Sequence, residues 1–159
     1  MDEPRWLDDD EQKAWRAYLQ AMHLLTTQLE RELQRDSSLS HPDYQILVNL
    51  SEAEGRRLRM SELASRTQSS RSRLTHAVAR LEAAGWVTRE SCPTDRRGLF
   101  AVLTDAGFAK LVAAAPAHVE GVRTHLFDQI TPDQVVQLRV ISQAMVDHLT
   151  PIVGDAPPA

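Results

Sequence analysis

At 159 residues, 42% hydrophobic and 25% charged, the chain is long enough to bury a core and ordinary enough for one soluble globular domain. One cysteine rules out an internal disulfide and suits a reducing cytoplasm. No run approaches the roughly 18 apolar residues of a membrane span, and the acidic start (MDEPRWLDDDEQK) lacks the layout of a signal peptide. The net charge of −4 conceals a polarity: from Arg56 to Arg97 ten arginines stand against four acids, a local +6, while the remainder carries −10. One basic region on an acidic body is the footprint of a nucleic-acid-binding face, and a set made only of arginine favours bidentate contacts.

Taken in order, residues 10–34 predict a helix. Trp15, Tyr18, Leu19, Met22, Leu25, Leu29 and Leu33 recur three and four residues apart on one face, and the helix would be about 37 Å long. Asp36-Ser37-Ser38-Leu39 breaks it. Ser40 is the N-cap of a second, short helix, with Pro42 in its first turn and Tyr44, Leu47, Val48 and Leu50 buried. After a loop at Glu54–Arg57, Leu58-Arg59-Met60 predicts a brief edge strand and Ser61 opens a third helix to about Thr67.

The fourth predicted helix, Arg71 to Ala84, turns Leu74, Ala77, Val78 and Leu81 inward. Ser69, Ser72 and His76 point the opposite way, flanked by Arg73 and Arg80 on one side and Thr75 on the other. That outward face is small, polar and basic, fit to enter a groove. Gly85 ends the helix in a left-handed conformation. Trp86–Ser91 and Leu99–Leu103 predict paired strands around the turn Pro93–Gly98, a hairpin too small to stand alone that packs as a wing with arginines at its tip. Thr104 caps a helix from Asp105, which Pro116 is expected to kink or interrupt. Thr131-Pro132-Asp133-Gln134 starts the last helix, which Pro151 is expected to end, leaving a disordered tail.

At the hairpin, Asp95-Arg96-Arg97-Gly98-Leu99-Phe100-Ala101-Val102-Leu103-Thr104-Asp105-Ala106-Gly107 resembles the Asp-x-Arg…Leu-Thr-x-x-Gly wing signature of the MarR family of bacterial transcription regulators. Ser61-Glu62-Leu63-Ala64 and Ser69–Val87 resemble that family's two DNA-binding helices, and the likeness extends over about residues 10–149. The resemblance implies a mainly α (α+β) fold in a single domain. Helices at 10–36 and 105–149 would interlock in a homodimer, a winged helix-turn-helix lobe would span 40–104, and 150–159 would be a tail. It further implies double-stranded DNA as partner, a pseudo-palindromic operator, a repressor role, and half-sites about one helical turn apart. The DNA-binding residues would be Ser69, Ser70, Arg71, Ser72, Arg73, Thr75, His76 and Arg80 in the major groove, with Asp95, Arg96 and Arg97 at the wing.

Many members of that family bind small phenolic or aromatic acids between the dimerisation helices and the winged lobe. Trp15, Tyr18, Met22 and Tyr44 are the candidate lining here, with Arg16 or His41 for a carboxylate, although the preferred reading makes the aromatics plain core. Cys92 lies in a wing strand, away from the sensing cysteine of redox-responsive relatives, so a redox sensor is only an alternative. His118 and His125 share a helix face without a carboxylate or thiol at ligand spacing, so no metal or cofactor is expected. No catalytic triad, phosphate-binding loop or dinucleotide motif stands in the chain, and an enzyme is not expected. The different-class alternative is a winged-helix module that docks proteins.

Overall fold

The first helix begins where its own acids close it. Asp8 accepts the N–H groups of Asp10 and Glu11 at 2.9 and 2.8 Å, and the Glu11 carboxylate accepts the Asp8 N–H at 2.9 Å, a reciprocal cap. The computed structural model describes residues 3–92 and 95–154, the side chains of residues 95–97 excepted. The turn residues Pro93 and Thr94, the side chains of Asp95, Arg96 and Arg97, and positions 155–159 of the expected tail lie outside the described residues.

Helix α1 (Asp9–Ser37) runs three residues past its predicted end, because Ser38 adopts a left-handed φ of 52° and returns its N–H to the Gln34 carbonyl at 3.0 Å. Helix α2 (His41–Glu52) is capped as predicted, Ser40 Oγ accepting the Asp43 N–H at 3.2 Å. Strand β1 (Arg57–Arg59) follows, and α3 (Met60–Arg66) begins one residue before Ser61 with no side-chain cap, since the edge strand delivers the chain straight into it. Helix α4 (Arg71–Ala83) is capped by Ser70, and Gly85 beyond it takes a φ of 75°.

Strands β2 (Val87–Cys92) and β3 (Asp95–Leu103) make a hairpin longer than predicted. Asp95–Gly98, read from composition as turn, belong to β3, because the pairing carries through to Cys92 opposite Asp95 across an irregularity at Ser91/Cys92. β1 pairs antiparallel on the other side of β3, Leu58 opposite Ala101, for a sheet order β1-β3-β2.

Neither proline interrupts its helix. Helix α5 (Asp105–His125) passes through Pro116, and α6 (Pro132–Gly154) passes through Pro151. Each proline lies on an exposed surface, as do Val112 and Asp147 four residues earlier, so water can reach the carbonyls that lose their helical partners. α6 opens with a reciprocal cap, Thr131 N–H to Gln134 Oε1 at 2.8 Å and Gln134 N–H to Thr131 Oγ1 at 3.3 Å.

The core gathers α2, α3, α4 and the sheet around Leu47, Leu50, Leu63, Val78 and Val87, all fully buried, and reaches α1 and α5 through Leu33, Leu111 and Ala114. One junction sets the relation of wing, α4 and α5. The Trp86 carbonyl accepts the Thr104 N–H at 3.1 Å, and Thr104 Oγ1 donates to the Gly85 carbonyl at 2.8 Å while accepting the Gly107 N–H at 3.0 Å. Gly107 is pressed so closely on the Trp86 backbone that a Cβ there would collide with its carbonyl oxygen and with Leu103. The Leu-Thr-x-x-Gly part of the signature is thus a structural joint.

A second junction joins α1, α2 and α5. Glu30 accepts the His41 N–H at 2.6 Å, Glu32 meets His125 Nε2 at 2.8 Å, and the His118 ring lies 4.5 Å from Tyr44 and 5.9 Å from His41, centroid to centroid. Burial, reinforced by His41, pushes the His118 imidazole below its ordinary value, and the hydrogen bond from His125 holds Glu32 low.

Gly107→Ala is expected to destabilise the chain by about 1–3 kcal/mol or more, the range for forced overpacking, read as a lowered chemical-denaturation midpoint; an unchanged midpoint contradicts the tight joint. His118 supplies a pH dependence. The unfolded imidazole protonates near 6.5 and the folded one only at lower pH, so stability is flat above that range and falls as pH drops through about 6.5 toward the folded value. The thermal midpoint should follow this course, and His118→Phe should shrink the fall between about pH 6.5 and pH 5.

Candidate nucleic-acid interface

Helix α4 is held from one side and free on the other. Leu74, Ala77, Val78 and Leu81 are buried, while Arg71, Ser72, Arg73, Thr75, His76 and Arg80 are exposed and Ser69 and Ser70 half-buried at the N-terminus. The sequence-predicted face is therefore assembled on one helix. Two of its hydroxyls are already committed: Thr75 Oγ1 donates to the Arg71 carbonyl at 2.8 Å and Ser69 Oγ to the Thr67 carbonyl at 3.3 Å. They can still accept, but their protons are not free for a phosphate.

The ten arginines divide in the fold. Arg66 pairs with Glu62 at 2.8 Å, and Arg56 pairs with Asp105 at 3.1 Å and lies 3.9 Å from the Phe108 ring centre. Arg57 sits 4.9 Å from the Phe100 ring, and Arg59 donates to Cys92 Sγ at 3.2 Å. Arg89 grips Glu82 with Nε at 2.9 Å and Nη2 at 2.6 Å, tying β2 to the end of α4 and holding the Glu82 carboxyl low. Arg80 pairs with Asp43 of α2 at 2.9 Å. Among the described residues, the guanidinium groups of Arg71 and Arg73 make no hydrogen bond or ion pair. The local +6 thus overstates the open basic surface, since six of the ten arginines it counts are engaged by acids or aromatic rings of the fold.

Asp43 escaped the sequence reading of the site. It stands in the first turn of α2, and nothing local in the sequence showed that α4 would bring Arg80 to it. Between α4 and the wing, Arg59, Met60, Ser61, Arg71, Leu74, Thr75, Gly98 and Leu99 line a cleft of about 310 Å³. Asp95, Arg96 and Arg97 immediately precede its wing-side wall in sequence, with backbone in β3.

The candidate effector residues are not brought together within one chain. Trp15, Tyr18 and Met22 lie exposed on the first half of α1, Trp15 and Tyr18 stacked at 6.3 Å, with Arg16 bonded to Gln12 at 3.3 Å. Tyr44 is core, and His41 belongs to the α1/α2/α5 junction. Cys92 is buried. Among the described residues no group of three or more histidine, cysteine or acidic side chains is placed to hold a metal ion, and no helix is long and apolar enough to cross a membrane.

This arrangement has close counterparts. The chain is 51% identical to Sco3205 of Streptomyces coelicolor, a MarR family transcriptional regulator solved in complex with DNA, with a TM-score of 0.90 over 94% of this chain and 93% of that one. The chain belongs to the MarR family. The family model itself matches residues 37–98, from the end of α1 to the wing. A second MarR family regulator from Streptomyces coelicolor, AbsC, is 49% identical with a TM-score of 0.87, over 92% of this chain and 98% of that one. The transcriptional regulator PecS of Dickeya dadantii is 32% identical over 89 residues, 56% of this chain and 53% of PecS, so the match spans about half the length of that relative. Its relatives being transcription regulators, this MarR-family chain has no enzymatic counterpart among them.

Proposed function

We propose that the chain is a cytoplasmic, DNA-binding transcriptional repressor that grips a pseudo-palindromic operator as a homodimer. The observation that carries this reading is the outward face of α4: unburied, small and polar at Ser72 and His76, with the unpaired arginines Arg71 and Arg73 at its N-terminal end. In this reading α4 lies in the major groove, Ser70 and the first turn meet phosphate, and Arg97, oriented by Asp95 with Arg96 beside it, enters the minor groove. The DNA-bound structure of Sco3205 supports it.

The dimer is supported by apolar surface that one chain leaves uncovered. Trp15, Leu19 and Met22 on α1 and Val136, Val140, Ile141, Val146, Leu149 and Val153 on α6 are all exposed, and no side chain of α6 is buried among the described residues. Residues 9–37 and 105–154 would interlock with a second copy, leaving residues 40–104 as the reading lobe. A small aromatic acid acting as effector is a secondary reading, supported by the exposed Trp15–Tyr18 stack beside Arg16, which a second chain would have to enclose.

Light scattering should give twice the chain mass. Random duplex DNA should bind at low salt, with log affinity falling against log salt at about −0.9 per phosphate neutralised, and Arg73→Ala should reduce that slope by about one contact. Arg97→Ala should abolish operator binding in a mobility-shift assay and leave the dimer intact. A protein-docking module would instead show little DNA binding and a flat salt response, and undiminished binding by Arg97→Ala would remove the wing from the interface.

A further inference from the structure

The two arginines on one flank of α4 are held differently. Arg73 and Arg80 are seven residues apart, two turns along one side of the helix. Arg73 has no partner among the described residues, whereas Nη2 of Arg80 sits 2.9 Å from Oδ1 of Asp43. Asp43 is itself anchored. It lies in the first turn of α2, its N–H taken by Ser40 Oγ, and its side chain is only 14% exposed, against 59% for Arg80. The carboxylate sits at the positive end of the α2 dipole, and the arginine keeps most of its surface, and the donors not used by Asp43, for another partner.

We propose that Asp43 is a positioning residue that converts Arg80 from a phosphate contact into a reader of base edges; this rests on the DNA-binding reading above. The reasoning is one of charge and freedom. A mobile guanidinium gains from any phosphate it reaches, at every sequence alike. One backed by a carboxylate has part of its charge neutralised, which weakens that indiscriminate attraction, and has lost rotamer freedom before DNA arrives. A bidentate contact to the O6 and N7 of guanine needs a fork held at a fixed place and angle, which the pair provides. Arg71 and Arg73, unpaired, supply general affinity. Asp43, on a different helix from the arginine, sets where Arg80 stands along the groove.

The test uses the intact chain and two duplexes, one selected by the wild type from a random pool and one scrambled. Dissociation constants are measured across salt for wild type, Asp43→Ala, Arg80→Ala and the double variant. Asp43→Ala should bind the scrambled duplex as tightly as wild type or more tightly, with a salt slope steeper by about one phosphate. It should lower the selected-to-scrambled affinity ratio about tenfold, and the double variant should match Arg80→Ala alone. Equal weakening on both duplexes, or an undiminished effect of Asp43→Ala when Arg80 is already absent, overturns the proposal by reducing the pair to a fold contact. Asp43→Asn keeps an acceptor for Arg80 without the charge and substitutes if the alanine variant melts at the assay temperature; its ratio should fall between the two, and a wild-type ratio with a wild-type slope overturns the proposal. A wild-type protein that selects no sequence refutes the DNA-binding reading itself, whereas a selective wild type with an insensitive Asp43→Ala refutes only the role of Asp43.

Discussion

Helix α4 is held from one side only, and its placement depends on that constraint throughout. Its inner side, Leu74, Ala77, Val78 and Leu81, is buried against α2, α3 and the sheet, while its outer side carries no large apolar side chain. Fully burying such side chains is worth about 1.5–3 kcal/mol each for the larger ones. That fixes where the helix lies, but a smooth apolar seam does not stop it rotating or sliding. Polar ties to other elements set the register: Arg80 to Asp43 of α2 at one flank, and Glu82 to Arg89 of β2 near its end. Both tie points belong to the chain's own fold and require no DNA.

The same economy governs the wing. A two-stranded hairpin has little stability of its own, and this one is fastened at its base. β3 is covered on its other edge by β1, and Thr104 bridges the end of α4 and the start of α5 with one hydroxyl. Because Gly107 lies against the Trp86 carbonyl, α5 leaves the sheet in one direction only. The signature that marks the family in sequence is therefore split in two. Its Leu-Thr-x-x-Gly half is required by packing, and its Asp-x-Arg half opens β3.

Much of this was legible in the chain. Ser40, Thr104 and Thr131 cap helices where the sequence placed them, since a cap is a local contact three residues long. The inward and outward faces of α4 followed from its period. What failed was non-local. Pro151 was read as a stop and Pro116 as a kink or interruption, yet neither ends its helix, because whether a proline stops a helix depends on whether water reaches the freed carbonyl. Asp95–Gly98 were read as turn from composition, and pairing with β2 drew part of the segment into strand. Trp15, Tyr18 and Met22 were preferred as plain core, yet they lie open on α1, where only Leu29 and Leu33 are buried.

The charge count shows the same limit most clearly. Ten arginines in 42 residues marked a basic segment, but charge along a sequence does not say which side chains the fold will use. Arg89 locks strand to helix, Arg56 and Arg57 cover phenylalanine rings, and Arg66 closes a turn of its own helix. Arginine serves both purposes because one fork can satisfy a carboxylate, lie on an aromatic face or grip a phosphate. An arginine already gripped on one edge differs in kind from a free one, since its position is set before any ligand arrives. The interface is better described by which guanidinium groups are free and which are braced than by its net charge, and on α4 that division falls between Arg73 and Arg80.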